Sequence, residues 1–79
     1  MPTVLNKDGF RFFFYSDEGN EPAHIHVTKG DAEGKIWLEP KSKIAYLNGF
    51  TNAETKQIAV IVFEFLEQFK TQWHGYFSK

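Results

Sequence analysis

Apolar and polar residues alternate through the first half of the chain, and this period-two pattern predicts β-strands. The predicted strands cover residues 3–6, 10–15, 23–29, 33–39 and, as a short edge strand, 44–47. Asp8-Gly9 and Gly30-Asp31 supply tight turns between them, because both pairs readily take a positive φ. Short turns join antiparallel neighbours, so the pattern predicts an antiparallel β-meander of four or five strands.

The second half of the chain predicts one long helix from Thr51 to Trp73. No Gly or Pro interrupts this segment, which is about twice the length of about ten residues that strands rarely exceed. Thr51 and Glu54 have the spacing of a capping box, which marks a helix N-terminus. Apolar residues recur at three- and four-residue spacing and form one stripe: Ile58, Ile61, Val62, Phe65, Phe69 and Trp73.

Together the two halves predict an α+β fold, in which the C-terminal helix packs on one face of the meander. The helix stripe is expected to cover the sheet face that bears Phe10, Phe12, Phe14, Ile25, Val27, Ile36 and Leu38. The 79 residues leave room for a single domain, residues 1–79, because a second core does not fit in that length.

Composition and charge narrow the possible functions. The formal net charge of −1 lacks the strongly basic character of a typical nucleic-acid binder, so a nucleic-acid partner is possible but not supported by charge. The absence of cysteine excludes disulfides, a thiolate nucleophile and Cys-type zinc sites. Neither a signal peptide nor a membrane span is visible, so we expect a cytoplasmic protein without a membrane partner.

The other sheet face carries an unusual mixture of side chains around His24-Ile25-His26. Residues two apart on a strand project to the same side, about 6.5–7 Å apart, so the two imidazoles can converge. We predict a shallow site with His24 and His26 as candidate catalytic residues. The candidate binding residues around them are Arg11, Tyr15, Glu21, Lys35 and Trp37.

Three interpretations of this face remain open. The two histidines could bind a metal with a third ligand, or act as acid and base in metal-independent RNA cleavage, beside a cation that holds phosphate. In the third, favoured interpretation they are half-exposed structural residues hydrogen-bonded to the adjacent loop. We predict no tightly held structural metal and no cofactor. The possible third ligands are Asp17, Glu18, Glu21 and His74, and the possible phosphate-holding cations are Arg11, Lys29 and Lys35.

The outer face of the predicted helix is a candidate protein interface. Val60 and Phe63 lie on the side away from the buried stripe, because successive helix positions are about 100° apart. A large ring with polar neighbours resembles an interface anchor. We therefore expect this face to contact a second copy of the chain or another protein.

Several short segments of the chain are distinctive: Met1-Pro2-Thr3-Val4, Gly9-Phe10-Arg11-Phe12, Phe14-Tyr15-Ser16, Gly19-Asn20, Glu21-Pro22-Ala23-His24-Ile25-His26-Val27, Gly30-Asp31 and Gly49-Phe50. These segments resemble a bacterial family known as domain of unknown function 4160. The resemblance covers essentially the whole chain, and Ala23 departs from it, because many members have a second proline there. It implies no established activity, and members are often encoded beside another small protein, which implies a toxin–antitoxin-like pairing. The expected function is a protein-interaction module; the alternative is a metal-independent ribonuclease or nucleic-acid-binding protein that uses His24 and His26.

Overall fold

The computed structural model describes residues 3–77 as a five-stranded antiparallel sheet followed by two helices. The strands lie in the sheet in chain order, and each pairs antiparallel with its neighbours. The predicted α+β meander is confirmed, including its short fifth strand. The elements are β1 (Thr3–Lys7), β2 (Phe10–Phe13), β3 (His24–Lys29), β4 (Ala32–Trp37), β5 (Lys43–Asn48), α1 (Asn52–Glu64) and α2 (Leu66–Phe77).

Two strands end earlier than the alternation predicts. β2 ends at Phe13 rather than at Tyr15. β4 ends at Trp37 rather than at Glu39, because the backbone N–H groups of Leu38 and Glu39 both donate to the carbonyl of Ala23, at 2.8 and 3.3 Å. In both places the alternation of apolar and polar residues therefore extends beyond the residues that form the strand.

The prediction of one long helix is wrong, because Phe65 separates α1 from α2. The interruption is local, since the Phe65 N–H still donates to the Ile61 carbonyl at 2.9 Å and the Phe69 N–H donates to the Phe65 carbonyl at 2.8 Å. It follows residues 60–63, which are β-branched or aromatic and lose side-chain freedom in a helix. No glycine or proline marks the position.

The start of α1 has the predicted capping box. The Glu54 N–H donates to Thr51 Oγ1 at 3.0 Å, and the Thr51 N–H donates to Glu54 Oε1 at 2.9 Å. Within residues 3–77, no helix is long and apolar enough to cross a membrane.

The core lies between the helices and one face of the sheet, as predicted. Phe12 packs against Phe69 with ring centroids 5.4 Å apart, and Phe14 packs against Trp73 at 5.3 Å. Aromatic side chains therefore hold α2 against the sheet. The buried core comprises Phe10, Phe12, Phe14, Ala23, Ile25, Val27, Ile36, Leu38, Ile58, Ile61, Val62, Phe69 and Trp73.

β5 forms one edge of the sheet, and a bulge shapes it. Ile36 pairs with Ile44 while the preceding Lys35 pairs with Tyr46, so that Ala45 is an extra residue in β5. Gly34 on β4 lies opposite Leu47, and a Cβ at Gly34 would overlap the Leu47 side chain. The glycine therefore provides the space in which Leu47 packs against the core.

Candidate functional site

His24 and His26 lie side by side on β3, with ring centroids 5.1 Å apart. His24 is 0% exposed and His26 8%, so the expectation of half-exposed rings is wrong. Aromatic neighbours cover both rings. Trp73 and Trp37 lie 4.7 and 5.4 Å from His24, and Tyr15 and Phe13 lie 4.8 and 5.5 Å from His26.

Glu18 joins the two imidazoles. Its Oε1 lies 2.8 Å from His24 Nε2 and 3.0 Å from His26 Nε2, and its Oε2 lies 3.2 Å from His26 Nε2. A tight turn presents this carboxylate, because the Glu18 N–H donates to the Tyr15 carbonyl and the Tyr15 N–H donates to Glu18 Oε1, both at 3.4 Å. We call Glu18, His24 and His26 the His–Glu cluster.

The second ring nitrogen of His24 fixes the orientation of that ring. His24 Nδ1 lies 2.9 Å from the Pro22 carbonyl oxygen. A carbonyl oxygen can only accept a hydrogen bond, so Nδ1 carries a proton and donates it. The other nitrogen, Nε2, is therefore the atom that His24 presents to Glu18.

Burial and neighbouring groups shift the pKa values of Glu18 and His26. Burial raises the pKa of Glu18, but the hydrogen bonds and charges of His24 and His26 together lower it by more, so the carboxyl pKa lies below its ordinary value. Burial lowers the pKa of His26 below its ordinary value, and the nearby charges of His24 and Lys35 act in the same direction against the opposing effect of Glu18. These directions favour a carboxylate at Glu18 and a neutral ring at His26.

Lys35 and Glu21 adjoin the cluster. The Lys35 ammonium donates to Glu21 Oε1 at 2.9 Å and lies 4.3 Å from the centre of the Trp37 ring. The same Glu21 oxygen is 3.9 Å from His24 Nδ1. The structure thus brings Tyr15, Glu21, Lys35 and Trp37 next to the two histidines.

Other candidates named from the sequence are engaged elsewhere. Arg11 donates from Nε to Thr3 Oγ1 at 3.0 Å, and its guanidinium lies 4.6 Å from the centre of the Phe13 ring. Lys29 pairs with Glu54 at 3.3 Å. His74 Nε2 donates to the Glu39 carboxylate, 3.0 Å from both of its oxygens, and forms a second, exposed His–carboxylate pair.

The cluster has the donor atoms of a metal site. One ligand atom from each of Glu18, His24 and His26 lies within 4.8 Å of the other two. Sequence reasoning named Glu18 as one of four possible third ligands but not as a site residue, because the path of an irregular loop leaves no periodic signal. It also missed the Pro22 carbonyl, since a backbone acceptor has no signature in the sequence.

The predicted interface residues, Val60 and Phe63, are both exposed on α1 and border different depressions. Phe63 is 81% exposed and borders an apolar groove of about 310 Å³ between α1 and β5, where Ile44 also lies. Val60 borders a different depression, beside Lys7 at the end of β1 and Asp8 in the turn that follows. Of these two residues, Phe63 is the one that borders the groove beside β5.

Comparison with models of known protein families identifies a match. A family model described as "Domain of unknown function (DUF4160)" matches residues 9–74, which is most of the chain. No curated protein and no solved structure matches the chain.

Proposed function

The chain belongs to the DUF4160 family, and we propose that it acts as a protein-interaction module. The observation that carries the proposal is the exposure of Phe63, which is 81%, beside Ile44, which is 43% exposed. A large ring next to an apolar groove is the usual form of an interface anchor. We define the docking surface as Ile44, Phe63 and the outer edge of β5.

The edge of β5 suits an extended partner. Within residues 3–77, β5 pairs only with β4, so the backbone groups on its outer edge have no strand beside them. A segment added alongside β5 would form main-chain hydrogen bonds and place alternate side chains toward the groove. Backbone pairing would give affinity, and the groove would select an apolar side chain.

Charge favours a partner other than a second copy. β5 carries Lys43 and no acidic residue, and Lys41 lies just before it. Two copies of β5 would pair lysine-bearing strands without a compensating carboxylate, and edge lysines are a common defence against such self-pairing. The complementary partner is an extended segment with an apolar residue and an acidic residue, such as one from a separately encoded small protein; a homodimer is the alternative.

Selection from a displayed library of random linear peptides tests the proposal. Peptides enriched on the wild-type chain are expected to combine apolar and acidic residues, and to lose at least about tenfold in affinity for Phe63→Glu. Thr71→Glu, which adds the same charge at an exposed position of α2, is the matched control and should bind as the wild type does.

Two results would overturn the proposal. One is that no peptide is enriched whose binding depends on Phe63. The other is a wild-type chain that sediments as a dimer while Phe63→Glu sediments as a monomer, because the surface would then serve self-association.

The alternative function is metal-independent cleavage of RNA by His24 and His26. One observation favours it: Tyr15 is exposed and contacts His26, so a base could stack there. The burial of His24 speaks against it, because a general acid must reach its substrate. Cleavage of RNA in excess chelator that disappears in His26→Gln would establish this function instead.

A further inference from the structure

We propose that the His–Glu cluster binds a divalent first-row transition-metal ion. The inference is independent of the docking surface, since it rests on different residues. Two imidazole nitrogens and a carboxylate converge at one end of the sheet, with Glu18 Oε1 within 3.0 Å of both Nε2 atoms. Such a convergence of three donor atoms is the minimum that a usable protein site of this type requires.

The hydrogen bonds of His24 determine which of its nitrogens can bind an ion. Because Nδ1 donates to the Pro22 carbonyl, Nε2 is the nitrogen that faces Glu18 Oε1, 2.8 Å away. An imidazole nitrogen and a carboxylate oxygen at this distance are held together by a proton in a hydrogen bond, or by a metal ion that both atoms bind. A metal ion that takes the place of this proton would use the same two atoms as ligands.

The same hydrogen bond gives His24 the environment of a metal ligand. Histidines that bind metals through one nitrogen usually donate from the other to a carboxylate or a backbone carbonyl, which fixes the ring. Pro22 does this for His24, and Trp37 and Trp73 pack against the ring. The ligand is therefore oriented before any ion arrives.

The spacing of the donor atoms fits a small ion. Bonds of about 2.0–2.1 Å at tetrahedral angles place neighbouring ligand atoms about 3.3 Å apart. The Glu18 oxygens lie 2.8–3.2 Å from the Nε2 atoms of His24 and His26, and all three ligand atoms lie within 4.8 Å of one another. Small side-chain movements would therefore be enough to surround an ion.

The chemistry of the donors selects the class of ion. Ca²⁺ and Mg²⁺ prefer oxygen ligands, and Cu⁺ prefers sulfur, whereas two imidazoles and one carboxylate suit Zn²⁺, Fe²⁺ and their neighbours. Three protein ligands leave a coordination position open. Such a site differs from the closed structural site that the sequence argues against, so the fold should not depend on the ion.

Titration with Co²⁺ and with Zn²⁺, on a chain without a polyhistidine tag, tests the proposal. We expect one Co²⁺ per chain with visible absorption bands, displaced by one equivalent of Zn²⁺. Glu18→Gln and His26→Gln should each weaken binding at least about 100-fold, because each removes a ligand. Glu39→Gln and His74→Gln remove the exposed His–carboxylate pair and are the matched controls, which should bind as the wild type does.

The outcomes decide the proposal in either direction. Circular dichroism must show that the variants are folded; two ligand variants are used so that one misfolded chain does not decide the result. Absence of stoichiometric binding would show that a proton joins Glu18 to the histidines. Binding that survives both ligand variants, or that is lost in His74→Gln, would place the ion elsewhere and overturn the inference.

Discussion

The His–Glu cluster buries polar side chains, whereas the docking surface exposes apolar ones. His24 is a polar residue with 0% exposure, whereas Phe63 is an apolar residue with 81% exposure. Polar side chains are buried only when their hydrogen-bonding atoms find partners. Both nitrogens of His24 have such partners in Pro22 and Glu18, whereas Phe63 projects mostly into solvent beside its groove.

The difference in burial predicts that the two regions have separate effects on stability and on association. The cluster is tied to the fold, because Trp73 of α2 packs on His24 while also belonging to the core. Phe63 is an exposed residue of α1, and its side chain adds little to the folded state. A variant at His24 should therefore change stability, and a variant at Phe63 should change association.

The largest loss of stability is expected from the substitution His24→Ala. It removes a fully buried ring and leaves the Pro22 carbonyl without its donor, so we expect the free energy of unfolding to fall by about 2–4 kcal/mol. Urea unfolding followed by circular dichroism measures the change. His74→Ala, at an exposed histidine, should cost less than about 0.5 kcal/mol. Equal losses in the two variants would contradict the structural role of His24.

The contrast also shows how far the sequence could predict this molecule. Alternation and helical spacing predicted the meander, the core stripe and the capping box, because those patterns have a fixed period. They did not predict the break at Phe65, which has no glycine or proline to mark it. They placed His24 and His26 together but not at 0% and 8% exposure, because Trp73, distant in sequence, covers His24.

The substitution Gly34→Ala should destabilise the packing of β5, the edge strand that carries Ile44. The added Cβ would overlap Leu47, and the neighbouring backbone of β5 lies close, so β5 must shift. We expect a loss of about 1–3 kcal/mol in the free energy of unfolding, as for overpacked cores. The double variant Gly34→Ala, Leu47→Ala is the control: if the overlap is the cause, its total loss should be smaller than the sum of the two single losses. Additive losses would contradict the packing explanation.

The cluster should also make stability depend on pH, to a smaller extent. The lowered pKa of folded His26 means that the unfolded chain binds more protons below pH 6.5, so stability falls as the pH drops through that value. For Glu18, whose folded pKa is also lowered, the fall begins below pH 4.5. One proton contributes at most about 1.4 kcal/mol per pH unit.

Urea midpoints measured in chelator between about pH 3 and 8 separate the two groups. His26→Gln should flatten the profile just below pH 6.5 and keep the fall at more acidic pH. Glu18→Gln should flatten the acidic limb. A wild-type chain whose stability is constant from pH 7 to 5 would contradict the burial of a neutral His26.

The smallest effect on stability is expected at Phe63. Phe63→Ala removes a ring that is 81% exposed and introduces a better helix former, so the free energy of unfolding should change by less than about 0.5 kcal/mol. Ile61→Ala, two residues earlier in the same helix, removes a side chain that is only 2% exposed and should cost about 2–4 kcal/mol. Thermal and urea unfolding of the two variants, measured side by side, give the difference. A loss at Phe63 as large as that at Ile61 would mean that the ring is needed for folding, and its exposure would no longer argue for a partner. A negligible loss, together with weakened peptide binding, would assign the ring to recognition, because a side chain that does little for the fold and much for association acts mainly in the complex.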